Sequence, residues 1–159
     1  MTKNELHDQA LSVWKANDCK GLLAMCTGSG KSRIGILAHK YVKSINSENP
    51  ILIVVPTETL RDVNWKDEYL EWGSQELYDE TERVCYASLS SIKNKKFSLV
   101  IFDEFHNTTE ANSIFLNEFV NNNIIERVLS LSATVPKDEK KILVMNKYCP
   151  VIFEYPLES

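Results

Sequence analysis

No apolar run in the 159 residues approaches the length of a membrane span, and the opening MTKNELHDQA has neither the basic start nor the hydrophobic segment of an export signal. Membrane-embedded and secreted classes are therefore set aside. Cysteine is sparse: Cys19, Cys26, Cys85 and Cys149 form no C-x-x-C pair and no zinc-like spacing. Reduced thiols in an intracellular compartment, cytoplasmic or nuclear, are expected instead. Positive charge is in deficit, with 18 Lys and Arg against 22 Asp and Glu and a net charge of −4. That excludes a surface that attracts nucleic acid everywhere, but it leaves room for a local site, because a loop can hold phosphates through peptide N–H groups. There is no internal repeat, so solenoid architectures drop out. His7 and His39 stand alone on helical stretches and are read as surface or boundary residues without a role, and no metal site of the zinc type is implied.

What remains has the length and the 43% hydrophobic content of one globular domain. A chain of this size buries roughly 70% of its unfolded surface and needs no disulfide or structural metal. Short runs rich in Val, Ile and Leu recur between longer amphipathic stretches, the pattern of a parallel sheet covered on both faces by helices. Strands are predicted at Gly21–Met25, Ile51–Val55, Arg83–Ala87, Ser98–Asp103, Arg127–Ser132 and Val151–Tyr155. Helices are predicted from Asn4 to Ala16, Lys31 to Ser44, Thr59 to Trp72, Ala111 to Val120 and Lys137 to Asn146. The run Asn121–Asn123 and the basic patch Lys93, Lys95 and Lys96 read as loops, the patch having a phosphate contact as its alternative.

The segment from Leu22 to Ser32 joins a buried strand, a glycine-containing loop and the start of a helix. In Thr27-Gly28-Ser29-Gly30-Lys31-Ser32 the two glycines permit backbone conformations closed to other residues. Successive N–H groups can then point at phosphate oxygens while the helix N-terminus adds partial positive charge. Lys31 would reach the β- and γ-phosphates, and the Ser32 hydroxyl would hold the bridging magnesium ion. The strict loop pattern asks for glycine at the position of Met25.

Seventy-two positions after Lys31, the apolar strand Ser98-Leu99-Val100-Ile101-Phe102 runs into Asp103 and Glu104. Ligands in such sheets sit at the carboxyl ends of strands. Asp103 would hold magnesium, usually through water, and Glu104 would orient and polarise the water that attacks the γ-phosphate.

Taken in order, TGSGKS, VVPTETL, DEFH and SAT resemble motifs I, Ia, II and III of superfamily 2 helicases. The likeness is to the DEAH/DExH type and to restriction-enzyme motor subunits, and Met25 suits it, since the helicase loop does without the first glycine. The resemblance implies an α/β fold of the P-loop NTPase class, a RecA-like parallel sheet in three α/β/α layers, that uses ATP and Mg. It adds His106 to the catalytic set of Lys31, Asp103 and Glu104. It gives Gln9 the reading of adenine, which an amide can do by donating and accepting on adjacent edge groups; the alternative is an ordinary solvent-facing helix residue. It places Thr57, and with it Arg61, against the nucleic-acid backbone, although an exposed Arg in an acidic helix is as often an ion-pair partner. Asn64-Trp65 takes the place of a family Gln-Trp, and Cys85 stands where a motif Ib threonine is common, with Ser88 as substitute or helix cap. Ser132 and Thr134 would couple the nucleotide site to the nucleic-acid site.

The same resemblance calls for a second RecA-like domain, in the same chain or another, carrying arginines that reach the γ-phosphate; it is not expected within residues 1–159, which read as one ATP-binding domain. Nucleic acid is the expected partner, with a leaning to DNA over RNA that no residue decides. The rival readings are a nucleotide-binding regulatory module with little turnover, the motor fragment of a restriction-type nuclease, and a small-molecule kinase, which Met25 and the SAT segment count against.

Overall fold

A computed structural model describes residues 2–25, 31–45, 48–103, 110–132 and 150–155. The first helix, α1 (Lys3–Ala16), opens on Thr2, whose Oγ1 accepts the N–H of Glu5 at 3.1 Å. This is the side-chain cap that a helix start requires. Asp18 and Cys19 turn the chain in left-handed conformation (φ 60° and 58°) into β1 (Lys20–Met25). Next come α2 (Lys31–Ser44), β2 (Ile51–Val55), a π-helical turn (Leu60–Asn64) continuing as α3 (Trp65–Glu71), α4 (Gln75–Asp79) and β3 (Thr81–Cys85). A 3-10 helix (Tyr86–Ser91) leads to β4 (Lys96–Phe97) and β5 (Leu99–Phe102); α5 (Glu110–Asn122), β6 (Ile124–Ile125), β7 (Val128–Ser132) and β8 (Val151–Tyr155) complete the described chain.

Six strands form one sheet in the order β3-β2-β5-β7-β1-β8, all parallel; β4 and β6 pair separately. Successive side chains of a strand point to opposite faces. Accordingly, Ile51, Ile53 and Val55 of β2 join one core with Leu6, Trp14, Ile34 and Trp65, beneath α1, α2 and α3. Leu52 and Val54 join the other with Tyr86, Leu89, Leu116 and Phe119, beneath the 3-10 helix and α5. The expected three-layer α/β/α sheet is therefore present.

Where sequence and structure differ, the causes are local. β3 lies two residues earlier than the apolar pattern puts it. It is an edge strand and mostly half-buried, so its polar Thr81 and Glu82 are tolerated, while Tyr86 and Ala87 already belong to the 3-10 helix. The Asn run and the Lys patch are not two separate loops. Asn121 and Asn122 end α5, Lys96 lies in β4, and Asn123 Nδ2 donates to Ile92 O and Phe119 O while its Oδ1 accepts the Lys95 N–H at 3.0 Å. Both helical histidines are buried rather than superficial: Arg33 Nη1 donates to His7 Nδ1 at 2.9 Å, and His39 Nδ1 is hydrogen-bonded to the Tyr69 hydroxyl at 2.8 Å. A partner on another helix makes a buried imidazole tolerable, and single-helix patterning does not see it. Among the described residues Cys19 and Cys85 are free thiols, and no helix is long and apolar enough to cross a membrane. The predicted helix from Lys137 to Asn146 lies outside the described residues.

Candidate nucleotide site

The carboxyl ends of β1, β7 and β5 lie side by side, because β7 is inserted between the strand that leads to Lys31 and the strand that leads to Asp103. Thr27, Gly28, Ser29 and Gly30 of the loop, Glu104, His106 and Thr134 lie outside the described residues, as does the Lys31 side chain. The backbone of Lys31 opens α2, and Ser32 is half-buried in its first turn.

Ser32 and Asp103 meet in one cavity of about 430 Å³, lined also by Asn64, Trp65, Asp67 and Glu68. A hydroxyl and a carboxylate are the hard oxygen donors that magnesium takes, one or two from protein and the rest from phosphate and water. The residues present therefore fit the ion. A roomier cavity of about 850 Å³, lined by His39, Lys43, Glu48, Glu80 and Ser98, lies at the amino ends of β2 and β5. It contains no motif residue and is on the wrong edge of the sheet for this fold.

Asp103 is only 6% exposed, and hydrogen bonds hold both its backbone and its side chain. Its N–H donates to Val54 O at 2.8 Å, its carbonyl accepts the Tyr86 hydroxyl at 2.9 Å, and its Oδ2 accepts the Trp65 Nε1–H at 2.9 Å. The last of these is charge-assisted, and a bond of this kind compensates a buried carboxylate for lost water. The sequence shows Trp65 only as part of an Asn-Trp pair, and its bond spans 38 residues. One sequence signal points toward it, the glycine inside α2. A Cβ on Gly35 would stand 2.7 Å from Trp65 Cη2, so the indole occupies the space where another residue would carry its side chain. Glycine in a helix interior is disfavoured by about 1 kcal/mol against alanine, and close approach of a ring is a reason to keep it.

The remaining candidates are dispersed. Thr57 is exposed and caps the π-helical turn, its Oγ1 accepting the Leu60 N–H at 3.2 Å and its carbonyl the Arg61 N–H at 3.1 Å. Arg61 is bidentate on its neighbour Asp62, at 2.8 and 3.0 Å, which raises the guanidinium above its ordinary pKa and holds the carboxyl below its own. Ser132 is buried at the end of β7, in register with Ala24 of β1. Gln9 is on the exposed side of α1. Ser88 is exposed in the 3-10 helix, where its carbonyl accepts the Ser91 hydroxyl at 2.7 Å.

Residues 2–137 match the family model described as the res subunit of type III restriction enzymes. The chain belongs to this family. It is a helicase-type, ATP- and nucleotide-binding domain family of superfamily 2, as the motif order implies. No curated protein matches in sequence. Among solved structures, the Sulfolobus solfataricus SWI2/SNF2 ATPase core in complex with dsDNA is 18% identical over 92% of this chain and 34% of its own, with a TM-score of 0.69. The UvsW helicase from bacteriophage T4 is 18% identical over 91% of this chain and 57% of its own, with a TM-score of 0.64. A nuclease-deletion mutant of the Type ISP restriction-modification enzyme LlaGI, in complex with a DNA substrate mimic, is 18% identical over 94% of this chain and 19% of its own, again at 0.64. At such identities the likeness establishes the RecA-like fold. The chain spans less than two thirds of each of these structures.

Proposed function

We propose that this res-family domain binds ATP with Mg and forms one wall of the site that drives a nucleic-acid helicase or translocase. The observation that carries the reading is the single cavity shared by Ser32 and Asp103 beside the start of α2. In it the N–H groups of Thr27 to Gly30 would hold the phosphates and the Lys31 ammonium would reach the β- and γ-oxygens. Ser32 and Asp103 would hold magnesium, which when bound neutralises phosphate charge. Glu104 would orient the attacking water and accept its proton, and His106 with Ser132 and Thr134 would pass the state of the γ-phosphate onward. Thr57 and Arg61 would face the nucleic-acid backbone, Arg61 exchanging Asp62 for a phosphate. DNA-bound relatives of the same fold favour DNA as the first partner to try. Free Cys19 and Cys85 suit a reducing, intracellular compartment.

Residues 1–159 would supply this wall only. An arginine delivered from a second RecA-like domain is worth roughly 10³–10⁵ in rate in P-loop systems, and translocation needs one domain to move against another. The test measures ATP binding with and without Mg, and steady-state ATPase with single-stranded DNA or RNA, before and after a matching second domain is added. Mg-dependent binding lost in Lys31→Ala, with fast turnover only in the completed form, is expected. Equal, weak titrations for wild type and Lys31→Ala would remove the phosphate-loop assignment. Slow turnover even after completion would leave a nucleotide-binding module.

A further inference from the structure

We propose that Trp65 is a positioning residue for Asp103: its indole N–H sets the rotation of the carboxylate that takes magnesium, and ties that rotation to the helix that begins after Thr57. The inference rests on the nucleotide-site reading above and adds to it a role for a residue that the motif pattern names only as the second member of a Gln-Trp pair.

The bond is buried at both ends. Trp65 is 1% exposed and Asp103 6%, and they meet at 2.9 Å through a neutral donor and a carboxylate oxygen. The backbone of Asp103 does not depend on it, because Val54 and Tyr86 fix the main-chain N–H and carbonyl independently. What Trp65 bears on is therefore the side-chain torsion, the degree of freedom that decides where the carboxylate presents its oxygens.

The indole is itself held. Gly35 gives it room against α2, where a Cβ would lie 2.7 Å from Cη2, 3.1 Å from Cζ3 and 3.6 Å from Ile101 Cδ1. Ser32 and Gly35 are three residues apart on α2, hence neighbours on one helix face. Ser32, Trp65 and Asp103 thus line the same cavity.

The link to α3 is built into its first turn. The Trp65 N–H bonds the carbonyl of Leu60, five residues back, closing a π-helical turn. One residue more than an α-helical turn is thereby accommodated, and such an insertion rotates the remainder of the helix onto a new face. Here it brings Trp65 to Asp103 while Thr57 caps the same segment. A carboxylate that rotates as nucleotide comes and goes must carry the indole with it, and the indole is the first residue of α3.

The test tracks the indole signal itself by ¹H–¹⁵N NMR on the 159-residue chain, with Mg²⁺ and ADP as probes. The Trp65 Nε1–H resonance, assigned by its loss in Trp65→Phe, is expected to shift when Mg²⁺ is added to the ADP complex. That of Trp14, bonded to Val128 O in the core, is expected to stay. In parallel, the Mg²⁺ concentration for half-maximal ADP binding is measured for two variants, Trp65→Phe and Trp65 replaced by 3-benzothienylalanine. The latter keeps the ring shape and exchanges the N–H for sulfur, so it decides the matter if the Phe variant does not fold. Both are expected to need about 10-fold more Mg²⁺, with Mg-free ADP affinity within about twofold of wild type, since groups behind a metal ligand typically govern metal affinity on this scale. An unmoved Trp65 resonance, or unchanged Mg²⁺ requirement in the isostere, overturns the role of Trp65 while leaving the nucleotide site intact. A wild-type chain that binds no nucleotide in Mg²⁺ overturns the site reading and this inference together.

Discussion

Alanine at position 35 should destabilise the domain although it improves the helix. In an ordinary helix interior Gly→Ala stabilises by about 1 kcal/mol, because the unfolded chain has less freedom to lose. Here the new methyl would lie 2.7 Å from Trp65 Cη2 and 3.1 Å from Cζ3. Carbon pairs rest at about 3.5–4.0 Å, so the ring must retreat by roughly 1 Å. The indole is 1% exposed and tied to Asp103, so a retreat strains that bond. Overpacking a closed core costs about 1–3 kcal/mol. The balance is a net loss of about 0–2 kcal/mol in place of the usual gain. Urea unfolding of wild type, Gly35→Ala, Trp65→Phe and the double variant measures it. Phenylalanine lacks the atoms that collide, so in the Trp65→Phe background Gly35→Ala should revert to a gain of about 1 kcal/mol, and the cycle should show a coupling of about 1–3 kcal/mol. A Gly35→Ala protein more stable than wild type, with additive effects in the double variant, would refute the seating of the indole on which the Asp103 geometry depends.

Burial holds His39 down from 6.5 to about 4, with Glu80 opposing and Lys43 assisting. The unfolded chain thus takes a proton at a pH where the fold does not, so stability present above about 6.5 is lost as pH falls toward about 4, by at most roughly 3 kcal/mol. Denaturation midpoints of wild type and His39→Phe between pH 7.5 and 4.5, the range in which this histidine takes up its proton in the unfolded chain, should diverge, and parallel curves would reject the assignment. Gln9 is exposed, so Gln9→Ala should leave stability alone while narrowing the preference for ATP over GTP in equilibrium titrations. Identical ATP and GTP affinities in wild type would return it to an ordinary helix residue.

The sequence is most legible where burial is two-sided or where a motif forces backbone geometry. Ile51–Val55 is a continuous apolar run buried throughout, Lys31–Ser44 follows directly on the glycine-containing segment, and Val151–Tyr155 is apolar but for Glu154; the bounds of all three agree between sequence and structure. β3 opens on the polar Thr81 and Glu82, so no apolar run marks its start, and it is displaced. The 3-10 helix, α4 and the two-residue strands β4 and β6 are too short to show any period. The site divides in the same way. Ser32 and Asp103 are named by local pattern and then found in one cavity. Trp65 reaches Asp103 across 38 residues through a bond that only the assembled sheet can make. His7 and His39 mislead a local reading for a related reason, since their partners Arg33 and Tyr69 come from other helices.

Asp103 gathers constraints from three separate segments: Val54 near the end of β2, Tyr86 at the start of the 3-10 helix after β3, and Trp65 at the start of α3. On the family resemblance, the loop after β2 and the segment after β3 are the parts that face nucleic acid. A movement of either would therefore have a short path to the Asp103 carboxylate that does not pass through Ser132 and β7. The two paths differ in what they can transmit. Ser132 sits on a central strand, buried and paired along its length with β1, where displacement would disturb the whole sheet. Trp65 sits where a helix begins, behind a π-helical turn that has an extra residue to give up. An element that both ligands bias is the physical requirement for coupling between their sites. On the proposed function, the tryptophan path would be a second route, beside the strand, between nucleic acid and nucleotide.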